Sequence, residues 1–225
     1  MNELTHYVAP IVAIVGYINY PTNLRIDKDL LRTLSVAHNT ALVVFSSWTF
    51  ASMCQILYNR GIVFQSNYYF SDATFDKIIY YFYLSKYYEF IDTFLLYLSG
   101  KTPIFLQKYH HIGAVVCWHL SYIYKVDSIW IGTILNSLVH IIMYSYYLGC
   151  LLKIQQVRFI KQYITSLQLI QLTVPNFFIL YYYSPPVETE INFAIIKIFI
   201  LYVIGLIILF SQFYYKNYIL TNKQV

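Results

Sequence analysis

Long apolar stretches alternate with short polar breaks along this chain of 225 residues. A hydrocarbon core of ~30 Å asks for ~20 residues of helix. The pattern therefore predicts seven membrane-spanning helices, at residues 7–20, 35–57, 75–98, 105–124, 128–152, 159–183 and 193–215. The first is the shortest. It ends at Tyr20-Pro21, because proline disfavours helix in the residue before it. Pro185-Pro186 divides the sixth span from the seventh, and short connections elsewhere predict antiparallel neighbours. With no internal repeat or low-complexity tail, the expectation is one all-α, polytopic membrane domain over residues 1–225.

Composition agrees with this class. Hydrophobic residues make up 59% of the chain and charged residues 11%, against about 25% charged in soluble domains. That leaves too little polar surface to cover a water-facing globule. The 26 tyrosines and 16 phenylalanines suit helices that meet lipid headgroups. The net charge of +5 comes from single basic residues set between apolar spans, so they read as topology markers rather than a nucleic-acid footprint. Arg25, Lys28, Arg32, Lys101, Lys108, Lys153, Arg158, Lys161, Lys216 and Lys223 fall in one set of alternate loops; Arg60, Lys77 and Lys125 fall in the other. The positive-inside bias makes the first set cytosolic. Seven spans then leave the N-terminus lumenal or outside and the C-terminus cytosolic. Lys86 and Lys197 remain inside spans. Cys54, Cys117 and Cys150 lack a C-x-x-C spacing and read as small buried hydrophobes. No N-x-S/T sequon is present, and the N-terminus lacks the features of a cleaved signal peptide, which assigns membrane entry to the spans.

Polar side chains in such helices cost roughly 2.5–3.5 kcal/mol for a central Lys or Asp, and those that persist usually face an interior site. Four stripes stand out. The third span carries Lys86, Glu89 and Asp92, three apart and so on one face, followed by Thr93. The fourth opens with Gln107, His110 and His111 at i, i+3, i+4. The fifth carries Asn136, His140, Met143, Tyr144 and Tyr147 at 3–4 spacing. The sixth carries Thr165, Gln168 and Gln171 at threes. Antiparallel order puts all four in the cytosolic half, which predicts one shared cavity open to the cytosol. His119 points away from this patch and reads as structural, while His6 and His38 fall near span ends away from it.

Three classes of function compete for such a cavity: a transporter or receptor, a histidine-metal oxygenase, and an enzyme acting on a lipid chain. Transporters favour repeats or Gly/Pro-broken helices, and neither is evident. His110, His111 and His140 are numerous enough to hold one metal ion, but no HxxxH pair occurs and the histidine boxes of di-iron desaturases are not matched, so no metal is expected.

Taken together the motifs are more specific. Lys86-x-x-Glu89-x-x-Asp92-Thr93, then His110-His111, then Asn136-x-x-x-His140-x-x-Met143-Tyr144-x-Tyr146-Tyr147, then Thr165-x-x-Gln168-x-x-Gln171 occur in that order. With His38-Asn39 leading into Leu42 and Ser46, the chain resembles, from about residue 35 to 215, the ELO family of very-long-chain fatty acid elongases. The resemblance implies condensation of an acyl-CoA with malonyl-CoA to a 3-oxoacyl-CoA two carbons longer, with loss of carbon dioxide and CoA and no bound cofactor. It implies seven helices, six of them closing a bundle around an acyl tunnel, in the endoplasmic reticulum membrane. The other enzymes of the cycle (ketoreductase, dehydratase, enoyl reductase) would be partners, and the family admits a homodimer.

By the same resemblance His110, His111 and His140 are catalytic. Imidazole serves as nucleophile or acid/base near neutral pH. His110 would take the acyl group or activate its thioester, His140 would assist decarboxylation and handle the enolate, and His111 would orient or donate. Lys86, Glu89, Asp92 and Thr93 would polarise and position this group or meet CoA. Gln107, Asn136, Met143, Tyr144, Tyr147, Gln168 and Gln171 would complete the network. The chain departs from the family's HxxHH box in having Gln107, which hydrogen-bonds but carries no proton. Gln107 and Asn136-Ser137 together lean toward polyunsaturated substrates. The chain is shorter than typical members at both ends, and Lys223 stands alone where a dilysine retrieval signal has two basic residues.

Overall fold

The computed structural model describes residues 3–183, 187 and 189–220. Pro185-Pro186 and Lys223 lie outside the described residues, as do the side chains of His6 and Arg158. Among the described residues the elements are helical: α1 (Glu3–Ile18), α2 (Lys28–Arg60), α3 (Ala73–Tyr88), α4 (Phe90–Leu98), α5 (Phe105–Ile123), α6 (Ile129–Leu151), α7 (Lys161–Tyr182) and α8 (Glu190–Tyr214). Short 3₁₀ and π turns follow α6 and α8 at Gln155–Ile160 and Tyr215–Leu220.

The helix starts follow local chemistry. Asp27 caps α2 by accepting the N–H groups of Asp29 (2.9 Å) and Leu30 (3.2 Å). Those bonds, the one from Leu30 first, hold its carboxyl below the usual carboxylate range. Asp72 caps α3 in the same way, and Thr189 caps α8.

Four helical stretches are long and apolar enough to cross a membrane: Lys28–Arg60, Ile129–Leu151, Lys161–Tyr182 and Glu190–Leu220. Their outward faces are apolar. Phe177 on α7 and Leu201 on α8 are 72% and 68% exposed, an arrangement suited to lipid rather than water. The chain is a membrane protein. Over the first predicted span, residues 7–20, α1 runs from Glu3 to Ile18, with Val8–Ile18 a shorter apolar stretch.

The third predicted span is interrupted. α3 and α4 meet at Glu89 (φ −62°, ψ −15°), where the turn tightens to a bond from the Asp92 N–H to the Glu89 carbonyl, 3.1 Å. The break needs neither glycine nor proline, the breakers that the sequence argument looked for. The prolines Pro10 and Pro175 sit inside α1 and α7, which continue through them.

Packing runs from neighbour to neighbour. α2 lies along α6, α6 on α7, α7 on α8, α8 on α5, α5 on α3 and α3 on α2, with α1 against α5. The α5–α8 contact is close because both sides supply glycine. A Cβ added at Gly113 would overlap the Tyr202 ring, and one at Gly205 would overlap Tyr109. Small residues of this kind let membrane helices approach. Tyr109 Oη donates to the Tyr202 carbonyl (3.2 Å), and Tyr202 Oη donates to the His110 carbonyl (2.9 Å).

One end of the molecule is tied shut. The buried Asp127 carboxylate accepts the backbone N–H groups of Tyr68, Tyr69 and Phe70. Trp130 Nε1 donates to Tyr183 Oη (3.0 Å), and Tyr69 Oη donates to the Gly61 carbonyl (2.8 Å). The loop between α2 and α3 is thereby pinned over the aromatic core that contains Phe75, Trp118 and Trp130.

The expectation of three buried cysteines needs correction. Cys117 is buried, but Cys54 and Cys150 are exposed. For Cys54 the cause is physical: in a membrane helix an apolar residue need not face the protein interior, because lipid covers the outer face too. Cys150 lines the cavity described next.

Candidate active site

A cavity of about 770 Å³ opens at the other end of the molecule, within the usual size range of ligand sites. Its walls come from α2, α4, α5, α6, α7 and α8. They include Asp92, Gln107, His110, His111, Asn136, His140, Met143, Tyr144, Tyr147, Thr165, Gln168 and Gln171. The structure thus brings residues of all four polar stripes to one space. Lys86, Glu89 and Thr93 stand behind the lining rather than in it; Lys86 and Glu89 are 1% and 2% exposed. Contact of Lys86 or Glu89 with CoA, one of the two roles considered for them, does not fit this burial.

The charged stripe of the third span acts as two separate groups. In the first, Lys86 Nζ donates to Glu89 Oε1 and to Asn136 Oδ1, each at 2.8 Å. Lys86 also lies 4.0 Å from the Phe82 ring centroid and 5.1 Å from that of Trp118, so the ammonium is solvated by one carboxylate, one amide and two π faces. The second group gathers on Asp92, which accepts from Tyr144 Oη (2.7 Å) on one oxygen and contacts His38 Nε2 (3.0 Å) on the other. The break at Glu89 lies between the two groups.

His38 corrects the sequence expectation. It was set apart because it falls near the end of the predicted second span. In the structure α2 begins at Lys28, a full two turns before residue 35, so His38 lies well inside the helix, 4% exposed and in the cavity wall. A polar His-Asn pair entering an apolar run was the signal available for it. His119 lies elsewhere, buried, with Nδ1 3.0 Å from Tyr83 Oη.

Hydrogen-bond chemistry orients His140. Lysine only donates, so the Asn136 oxygen faces Lys86 and its NH₂ group faces His140 Nε2, 3.2 Å away. Nε2 is then the unprotonated nitrogen. The ring proton sits on Nδ1, 3.6 Å from Glu89 Oε1. The Tyr144 ring packs at a right angle to His140, with centroids 5.3 Å apart.

His110 is the opposite case. It is half-buried in the cavity wall, and neither ring nitrogen bonds a described side chain. His111 packs edge-on beside it, centroids 5.4 Å apart, and its Nδ1 is buried without a partner, as is Glu89 Oε2. Thr93 accepts from Gln107 Nε2 (3.2 Å) and lies 2.9 Å from Tyr17 Oη. Gln107 therefore supports the wall, while Tyr17 on α1 is a neighbour that no motif indicated. Gln168 Nε2 approaches Met143 Sδ at 3.4 Å. Among the described residues no three His, Cys, Asp or Glu side chains group as a metal site.

The open side of the cavity is cationic. Lys28, Arg32, Lys101 and Lys161 line it and are exposed, and Asp92 is the one carboxylate among the described lining residues. The arrangement pairs an anion-attracting rim with a deeper wall of imidazoles, amides and hydroxyls.

The chain is similar in sequence to known proteins. The family described as "ELO: GNS1/SUR4 family" matches residues 4–225. Fatty acid elongase sre1 of Dictyostelium discoideum is 31% identical over 97% of this chain and 86% of its own length. Fatty acid elongase 3 of Trypanosoma cruzi is 37% identical over 61% of this chain and 48% of its own. Very long chain fatty acid elongase 2 of Mus musculus is 31% identical over 84% of this chain and 64% of its own. The chain thus spans about half to two-thirds of the length of the latter two. By the match over almost its whole length, this chain belongs to the ELO family.

Proposed function

We propose that this protein is a fatty acid elongase that condenses a long-chain acyl-CoA with malonyl-CoA, releasing carbon dioxide and CoA and leaving a 3-oxoacyl-CoA two carbons longer. The observation that carries the proposal is His110, an imidazole uncommitted in the wall of a cavity whose rim holds Lys28, Arg32, Lys101 and Lys161. Phosphates of CoA suit that rim. The acyl chain suits the interior, and the thioester between them falls at the imidazoles.

Chemistry at this site divides in two. A His110 nitrogen attacks the thioester carbonyl, the C–S bond breaks, and the departing CoA thiolate takes the proton that the other His110 nitrogen gives up as the neutral acyl-imidazole forms. Malonyl-CoA then loses carbon dioxide, and the electrons of the broken C–C bond form an enolate. Its carbon attacks the acyl-imidazole, the C–N bond breaks, and the departing His110 nitrogen takes a proton from solvent to restore the neutral ring. His140, its ring fixed between Asn136 and Glu89, borders the malonyl group as carbon dioxide leaves, and His111, in the same cavity wall, hydrogen-bonds the enolate. Lys86 and Glu89 hold that wall in place from behind.

The fold supports a seven-span topology in which α3 and α4 together form one span. The ring of contacts α2–α6–α7–α8–α5–α3 supports enclosure of the acyl chain by six spans. The rim then faces the cytosol, the pinned loop of residues 61–72 faces the lumen, and the endoplasmic reticulum is the expected membrane. Gln107 and Asn136-Ser137 are consistent with a polyunsaturated substrate.

Expression in an elongase-deficient host, with fatty acids profiled by chain length, tests the proposal. New acyl species two carbons longer than the feed are expected. Their absence across saturated and polyunsaturated feeds would overturn it. The covalent step has its own check: purified protein given acyl-CoA alone should release CoA in a single turnover without malonyl-CoA.

A further inference from the structure

We propose that His38 is a positioning residue of this site, acting through Asp92 and Tyr144 on the His140 ring. The inference rests on the elongase reading above and adds a residue from α2 to it. His38 is buried, and its Nε2 lies 3.0 Å from Asp92 Oδ1. An ionised carboxylate only accepts, so Nε2 carries the proton. The second Asp92 oxygen accepts from Tyr144 Oη at 2.7 Å. Both oxygens are therefore engaged, one from α2 and one from α6, and the carboxylate on α4 is fixed between them. The Tyr144 and His140 rings pack at right angles, centroids 5.3 Å apart and planes at 87°. His140 is thus held from two sides: Asn136 sets its tautomer and Tyr144 sets its ring plane.

Packing alone does not account for a histidine at position 38. The ring stacks on Tyr88, centroids 5.2 Å apart, which an apolar side chain would do as well. The other ring nitrogen, Nδ1, is buried with no hydrogen-bond partner among the described residues. A membrane helix keeps a buried imidazole with an unpaired nitrogen where its other nitrogen has work to do. Here that work is on Asp92. Without His38, Oδ1 has no described donor, the carboxylate turns freely in the cavity wall, and Tyr144 loses its fixed acceptor.

The test compares His38→Gln with His38→Met in the purified full chain, using the acyl-CoA that the wild type elongates best. Glutamine places its amide nitrogen as many bonds from the backbone as His38 Nε2 and restores the donor. Methionine fills similar space and has none. Expected is a His38→Gln kcat near wild type and a His38→Met kcat lower by roughly 10- to 100-fold with the acyl-CoA KM little changed, as for a displaced reacting group. Equal kcat for Gln and Met, at any level, would overturn the proposal, since packing would then explain the residue. A second arm reads the route. Tyr144→Phe should lower kcat as well, and His38→Met added to it should cost much less than it does alone, because the two share one path; fully additive losses would overturn the path through Tyr144. A wild-type chain that elongates nothing would overturn the elongase reading itself, and the role in turnover with it. Wild-type activity with a fully active His38→Met would overturn His38 alone.

Discussion

At the residue scale, burial decides which polar groups do chemistry and which support it. Among the described residues no side chain bonds either ring nitrogen of His110 in the cavity, while His140 has Nε2 tied to Asn136. Replacement of His110 by Ala should abolish elongation and leave the protein folded, read by fatty acid profile and by thermal melting in detergent. Lys86 and Glu89 behave differently because they are buried as a pair at 2.8 Å. Removing one partner leaves an uncompensated charge, so Lys86→Met should destabilise by about 3–5 kcal/mol. Lys86→Met combined with Glu89→Gln should cost less than the two changes summed, because the double variant leaves no buried charge there. A melting series of the four proteins checks this.

At the element scale, the close fit of α5 against α8 sets where His110 stands. Tyr202 packs over Gly113 and bonds the His110 carbonyl, so α8 holds the backbone of the first turns of α5. Gly113→Leu should push the two helices apart, with an overpacking cost of typically 1–3 kcal/mol. A fall in kcat together with the melting temperature is the expected result. Tyr202→Phe, which keeps the ring and loses only the hydroxyl, should be milder on both. The interruption at Glu89 is a second device of this scale. It separates the Lys86 group from the Asp92 group, which a regular helix with threefold spacing would have kept on one face.

At the scale of the whole molecule, one end is pinned and the other is open. Asp127 and Tyr183, the latter donating to the Val63 carbonyl, tie down the loop over residues 61–72, whereas the cavity opens among Lys28, Arg32, Lys101 and Lys161. A glycosylation acceptor inserted in residues 61–72 should be modified, and one inserted in residues 99–104 should not; mobility on gels reads both. The cationic rim predicts that Lys28→Gln with Lys101→Gln raises the acyl-CoA KM by on the order of tenfold at low salt, with a smaller effect at high salt. A kcat little changed would show loss of uniform binding rather than of transition-state stabilisation.

What could be read from the sequence follows from periodicity and cost. Apolar run lengths located most of the helices, though α2 starts two turns before its predicted span and the third span divides into α3 and α4, because a bilayer imposes a length and excludes charge but does not fix helix ends. The same exclusion made Lys86, Asp92, His110 and His140 conspicuous, and helical spacing grouped them into stripes. Spacing says which way a residue points along one helix, not what stands opposite. So the tie between His38 and Asp92, 54 positions apart, the split of the charged stripe at Glu89, and the burial of Lys86 and Glu89 behind the wall were decided by tertiary packing. The sequence by itself determined an apolar helical bundle with polar groups at one depth. Only the folded structure decided which imidazole is tied and which is open, because hydrogen-bond partners come from neighbouring helices.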